Sequence, residues 1–141
     1  MTLFELAQRF VGVAEITGEK DNPLIVWMLQ LSNPDVEDDQ VPWCSGFPNM
    51  CAWILRLPRS KSNAARSWLR VGQVKTLDEA ELGDVIVLAR GDDPLAGHVG
   101  FFAGWADDQR SLIYLLGGNQ ANAVTVAPFP VSRVLGVRRL T

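Results

Sequence analysis

The spacing of apolar positions changes partway along the chain. As far as Val71 they recur mostly at helical intervals, and from Leu82 they gather in short β-branched runs between turn residues. Leu3, Leu6, Ala7, Phe10 and Val11 form a first helical stripe, opened by a Thr2–Glu5 capping box and closed near Gly12. Glu15 and Gly18 fall in the loop that follows. Asn22-Pro23 gives a second helix its cap and first-turn proline, with Leu24, Trp27, Met28 and Leu31 as its stripe. A third apolar run, Phe47 to Leu57, follows Val41-Pro42-Trp43-Cys44-Ser45-Gly46. Its spacing puts Cys44, Phe47, Cys51, Ile54 and Leu55 on one face, and Pro58 ends it. Pro48 falls in the first turns, where a missing N–H costs little. Arg59 to Asn63 reads as a surface loop, and Ala64 to Val71 as a short helix or turn.

The later part reads as strands. Val85 to Leu88 follows a Gly83-Asp84 turn, and His98 to Ala103 follows Gly91-Asp92-Asp93-Pro94. Asp107-Asp108-Gln109 is a hairpin loop before Ser111 to Leu116. Gly117-Gly118-Asn119-Gln120 interrupts, Val124 to Val126 resumes, and Val134 to Leu140 closes the chain. Helices first, then antiparallel strands at short spacing, predict an α+β fold: N-terminal helices packed on an antiparallel sheet of about five strands. No repeat, low-complexity segment or linker divides residues 1–141, so one domain is expected.

Composition narrows the functional classes. With 141 residues, 48% hydrophobic and 21% charged, the chain has material for one globular core. A net charge of -3 and the lack of a basic stripe speak against nucleic acid, with Arg138-Arg139 read as a solvated strand end. The N-terminus has neither the basic nor the apolar part of a secretory signal, and no apolar run is long enough to span a bilayer. Synthesis in the cytoplasm without membrane insertion is the expectation. The acidic loop Asp35 to Gln40 lacks the ligand spacing of a calcium loop and reads as a solvated connection.

The chain has two cysteines and one histidine. Structural zinc usually takes four such ligands, so no metal site is expected. Two helical turns separate Cys44 from Cys51 by about 10 Å, beyond the roughly 7 Å limit for a disulfide. Cys51 reads as a small buried apolar residue. Cys44, at a helix start, faces unpaired N–H groups that favour a thiolate. A cysteine nucleophile needs a base and a group to orient that base. His98, between glycines that would leave room for substrate or thiol, is the candidate base. Asn119 is the better-placed orienting amide and Gln120 the alternative, since a one-residue register change exchanges their faces.

Trp43-Cys44-Ser45-Gly46-Phe47 resembles the Asp-Cys-Ser-Gly motif of NlpC-type cell-wall peptidases. Leu82-Gly83-Asp84-Val85-Ile86-Val87 and Gly97-His98-Val99-Gly100-Phe101 are similar to their two following strand motifs. CHAP amidases share this order and place a polar Asn on the next strand, as Asn119 stands here. Pro-Trp-Cys-Ser, Gly-His-Val-Gly and Leu-Gly-Gly-Asn-Gln together look like a small phage and prophage group of that papain-like superfamily. Trp43 departs from the acidic residue usual in NlpC-type enzymes, and Gly117-Gly118 from a glutamate common in CHAP domains. The resemblance implies a papain-like fold and cleavage of a peptidoglycan amide bond by Cys44, His98 and Asn119, as in a phage endolysin. The Cys44 N–H would serve the oxyanion, with Gln40 or Ser45 as second donor, and Trp43 and Trp68 as groove walls. It implies no cofactor, a monomer, and access to the wall after holin action or lysis. A non-catalytic module binding wall peptides or a partner protein, and a cysteine amidase or deamidase toxin on another substrate, are the alternatives.

Overall fold

The structure, a computed structural model, describes residues 1–16, 21–39 and 41–141. Three short α-helices precede the sheet: α1 (Leu3–Gln8), α2 (Pro23–Gln30) and α3 (Gly46–Ile54). The Thr2–Glu5 capping box closes in both directions, and the Asn22 side chain accepts from the Leu24 N–H at 3.0 Å. A 3-10 helix, Ala65–Arg70, leads into the strands β1 (Gln73–Lys75), β2 (Val85–Ala89), β3 (Gly97–Trp105), β4 (Leu112–Gln120), β5 (Ala123–Pro130) and β6 (Val134–Arg139). All pair antiparallel in the order β1-β6-β2-β3-β4-β5. The fold is α+β, with β2 to β5 as a meander and β6 returning between β1 and β2.

Six strands stand where about five are expected. The extra one, β1, is mostly exposed and so leaves no apolar period in the sequence. It is an edge strand held by its ladder to β6. Gly117 to Gln120 does not interrupt the sheet but continues β4, with a register shift between Gly117 and Gln120.

Both faces of the sheet are covered. On the helix side, Val85, Val87, Val99, Phe101, Leu116 and Val124 join α-helical residues such as Ile25, Met28, Phe47 and Met50. On the far side, Ile86, Leu88, Phe102, Ile113, Leu115 and Val137 form a second core. Phe129, Val131 and Val134 pack against it. Burial on both faces explains why Val85 to Leu88 is apolar throughout rather than alternating.

Helix α3 is the centre of the helical layer, buried from Gly46 to Ala52. Only its end emerges: Ile54, expected on the core face, is exposed, and Trp53 meets Trp27 edge to face at 5.6 Å between centroids. Full burial of Phe47 or Met50 stabilises by roughly 2 kcal/mol each relative to exposure. A buried asparagine, Asn49, ties the helix to the following loop. Its amide donates to the Ser45 and Ser62 carbonyls at 3.0 Å, and its oxygen accepts from the Lys61 N–H at 3.0 Å.

Asp39 departs from the solvated acidic connection that the sequence predicts. It is buried, and its carboxylate accepts from the Asn22 N–H at 2.8 Å. At the other end of the sheet, Arg139 donates two hydrogen bonds to Asp84, at 2.9 and 2.8 Å, joining β6 to the entry of β2. Among the described residues no helix is long and apolar enough to cross a membrane.

Candidate active site

Cys44 stands one residue before the N-cap of α3. Helical hydrogen bonding already begins there, since the Phe47 N–H donates to the Trp43 carbonyl at 3.2 Å. The sulfur faces the backbone N–H of Val99 on β3, and those of Ser45 and of Cys44 itself. The β3–β4 pairing ends at Phe101 and Leu116, so Val99 lies beyond its last pair. The thiol thus sits against Val99 on the helix side of β3, one residue along the strand from His98.

It is nearly closed to solvent, at 5% exposure for the residue. Burial pushes its pKa up, and the Val99 N–H, the positive Arg90 and the helix-start N–H groups offset this only in part. The expectation of a favoured thiolate is therefore reversed: the desolvation cost of an anion exceeds the help of the donors. Cys51, fully buried, has its thiol pushed up further and serves as a core residue.

His98 pairs with Leu88 across β2–β3, and alternation turns it to the far side of the sheet with Phe102. Its ring stacks on Phe129, with centroids 5.3 Å apart. Its Nε2 lies 3.0 Å from Gln120 Oε1. The Gln120 amide nitrogen donates to the Leu115 carbonyl at 3.2 Å and to the Thr125 carbonyl at 2.9 Å. Those two acceptors fix which end of the amide is nitrogen, so the oxygen faces the ring. His98 Nε2 must then be the donor, and the neutral ring carries its lone pair on Nδ1. Nδ1 is buried and has no hydrogen-bond partner. No hydrogen bond links it to the Cys44 sulfur. Burial lowers the His98 pKa; the Gln120 bond opposes this, and the charges of Arg90 and Arg133 add to it. Thiol and imidazole are both held neutral.

The amide that reaches the imidazole is Gln120, the alternative from the sequence, while Asn119 does not contact it. The register shift in β4 decides between them: Asn119 takes a φ of 56° and lines the cleft beside the ring, while Gln120 reaches the imidazole. Gly117 makes room for this, because a Cβ there would collide with the Gln120 amide oxygen. A Cβ on Gly118 would meet the Trp43 ring and Phe47 Cβ at 2.8 Å, so that glycine lets α3 approach the strand. The glycines around His98 have another use than the one expected. A Cβ on Gly97 would meet the Leu88 carbonyl at 2.9 Å, and one on Gly100 would meet Leu115 at 3.2 Å. Their space is filled by packing, not left open for thiol or substrate.

The other expected subsite residues are structural. Trp43 is fully buried and donates to Glu15 at 2.7 Å. Trp68 is also fully buried and donates to Ser45 Oγ at 2.9 Å. Neither walls a groove. The Ser45 hydroxyl is buried and donates to the Ser62 carbonyl at 2.6 Å, so it is not aimed at an oxyanion. Gln40 lies outside the described residues.

The cleft that opens on His98 has a volume of about 340 Å³. Its lining includes Asn119, Gln120, Phe129, Arg90 and Arg133. Sequence reasoning singles out none of Phe129, Arg90 and Arg133; only Arg90 carries a positional signal, because it directly follows β2, which pairs with the histidine strand. Among the described residues no three His, Cys, Asp or Glu side chains cluster as metal ligands would. No family model matches this chain, and no curated protein matches it either.

Proposed function

We propose that this chain is a papain-like cysteine hydrolase that cleaves an amide bond of the bacterial cell-wall peptide, as a phage endolysin does. One observation carries the reading: a buried imidazole, its Nε2–H held by Gln120, presents an unpartnered Nδ1 lone pair on the strand against which a helix-start cysteine lies. A buried acceptor without a partner costs stability, and a base that must receive a proton gives that cost a use. The order of helix-borne cysteine, strand-borne histidine and strand-borne amide supports the papain-like arrangement. The motif resemblance supports the substrate class.

In the proposed reaction the Cys44 sulfur bonds to the amide carbon and the thiol proton passes to Nδ1 of His98; because the thiol lies on the helix side of β3 and the imidazole on the other, the ring must swing past the start of the strand for the transfer. Both groups are held neutral by burial, so the proton moves with the attack rather than before it. The Cys44 N–H serves the tetrahedral oxyanion. Collapse breaks the carbon–nitrogen bond, and Nδ1 returns the proton to the leaving amine. Water then attacks the thioester with His98 again as base, releasing the acid and the thiol. Gln120 keeps the ring in one tautomer throughout.

Digestion of purified sacculi tests this. Wild type should release soluble muropeptides, and Cys44→Ala or His98→Ala should lower the rate at least about 100-fold with circular dichroism unchanged. Mass spectrometry of the products separates a cut within the stem peptide from one at the muramoyl–alanine bond. Full activity in either variant would sink the proposal. A second reading, a non-catalytic module that binds wall peptides, is favoured by the closed thiol and the missing thiol–imidazole bond. It predicts that wild type binds sacculi and releases nothing.

A further inference from the structure

The cleft over His98 inverts the electrostatics of the chain around it. The protein as a whole is acidic, at a net charge of -3. The residues lining this cleft include two arginines and neither Asp nor Glu. Arg133 is held in place: its Nε donates to the Ala89 carbonyl at 3.0 Å, and its guanidinium lies 5.5 Å from the centre of the Phe129 ring that stacks on His98. Its remaining N–H groups are not engaged by an acid. Arg90, at the end of β2, is exposed, and its charge reaches both Cys44 and His98. Among the described residues neither arginine forms an ion pair, whereas Arg110 and Arg139 elsewhere do.

The remaining lining is divided by chemistry. Ala127, Pro128 and Phe129 make an apolar wall, and Asn119 and Thr125 add polar groups at the other side. Such a cleft suits a short aliphatic stem that ends in an anion. Guanidinium pairs planar, bidentate acceptors, which a carboxylate provides. The imidazole lines this cleft and Cys44 does not, so an anion held here sits on the imidazole side of the molecule that reacts.

We propose that Arg90 and Arg133 form a carboxylate subsite, so that the amide cleaved is one whose acyl or amine residue carries a free carboxylate. This rests on the peptidoglycan reading above and specifies it: the enzyme selects stem peptides with free side-chain or terminal carboxylates over amidated ones. Arg133, set on Phe129 beside the ring, fixes the position of the carboxylate. Arg90 adds attraction from the solvent side.

One preparation of sacculi, divided in two, tests this. One half keeps its carboxylates, and the other has them converted to primary amides with carbodiimide and ammonia. A muramidase control confirms that both halves remain digestible. Wild type should cut the untreated half at least about tenfold faster, the scale of one charge-assisted contact. Arg133→Gln and Arg90→Gln should each bring that ratio toward one, and Arg133→Lys, which keeps the charge, should retain part of it. Equal rates on both halves by wild type would overturn the subsite, as would arginine variants with an undiminished ratio. If wild type cuts neither half while the muramidase cuts both, the peptidoglycan reading falls, and the subsite with it.

Discussion

Gln120 holds His98 through an amide with no freedom left to flip, because its nitrogen is committed to the Leu115 and Thr125 carbonyls. Asn119, one residue earlier, borders the same cleft without reaching the ring. If the ring acts as the proposed base, the two amides should differ sharply on substitution. Gln120→Ala frees the imidazole to rotate and to change tautomer, and kcat/KM should fall about 100-fold or more. Asn119→Ala should stay within a few-fold of wild type. Steady-state rates on one muropeptide compare them, and equal losses would return the choice to an open state. The motif Gly-Gly-Asn-Gln contains both candidates, and its sequence does not separate them. A bulge does, since one extra residue exchanges the faces of all that follow.

Asn49 is the joint between α3 and the loop after it. Four of its contacts go to Ser45, Ser60 and Ser62, and two more come from Arg59 and Lys61. Asn49→Ala would leave the Lys61 N–H without its acceptor and remove a donor from the Ser45 and Ser62 carbonyls, and should cost about 1–3 kcal/mol, read from the urea midpoint. The loss reaches the site, because Ser45 follows the candidate nucleophile and also accepts from Trp68. The helix itself was legible from its apolar run and from Pro58. Its polar joint was not, because a lone Asn in an apolar helix carries no periodic signal, and its partners lie up to 13 residues away. The edge strand β1 escaped for a related reason: its stability comes from pairing with β6, which lies at the far end of the chain.

At the level of the whole molecule, burial of the Cys44 thiol and the His98 imidazole ties stability to pH. His98 has a lowered pKa, so between that value and the unfolded one of about 6.5 the unfolded chain binds more protons. Stability is then full above about 6.5 and is lost as pH falls below it. Cys44 and Cys51 have raised values, so stability is full below about 8.5, the unfolded thiol value, and is lost as pH rises beyond it. The urea midpoint should therefore be flat between these limits and fall on both sides. His98 is the only histidine, so His98→Gln should remove the slope between about pH 5 and 6.5. Cys44→Ala should reduce the alkaline slope and leave the share of Cys51. A wild-type midpoint unchanged from pH 7 to 5 would contradict the buried neutral ring. The sequence by itself determined the class of the fold, the helix caps, most strands, and which cysteine and histidine stand at a helix start and on a strand. These follow from local periodicity and turn chemistry, which a short window contains. Only the tertiary structure decided that Gln120 bonds to His98, that Trp43, Trp68 and Ser45 are packed inside rather than lining a groove, that burial favours the neutral thiol and imidazole, and that two arginines line the cleft with the ring. Those depend on register, burial and charge brought together across strands, and no local pattern encodes them.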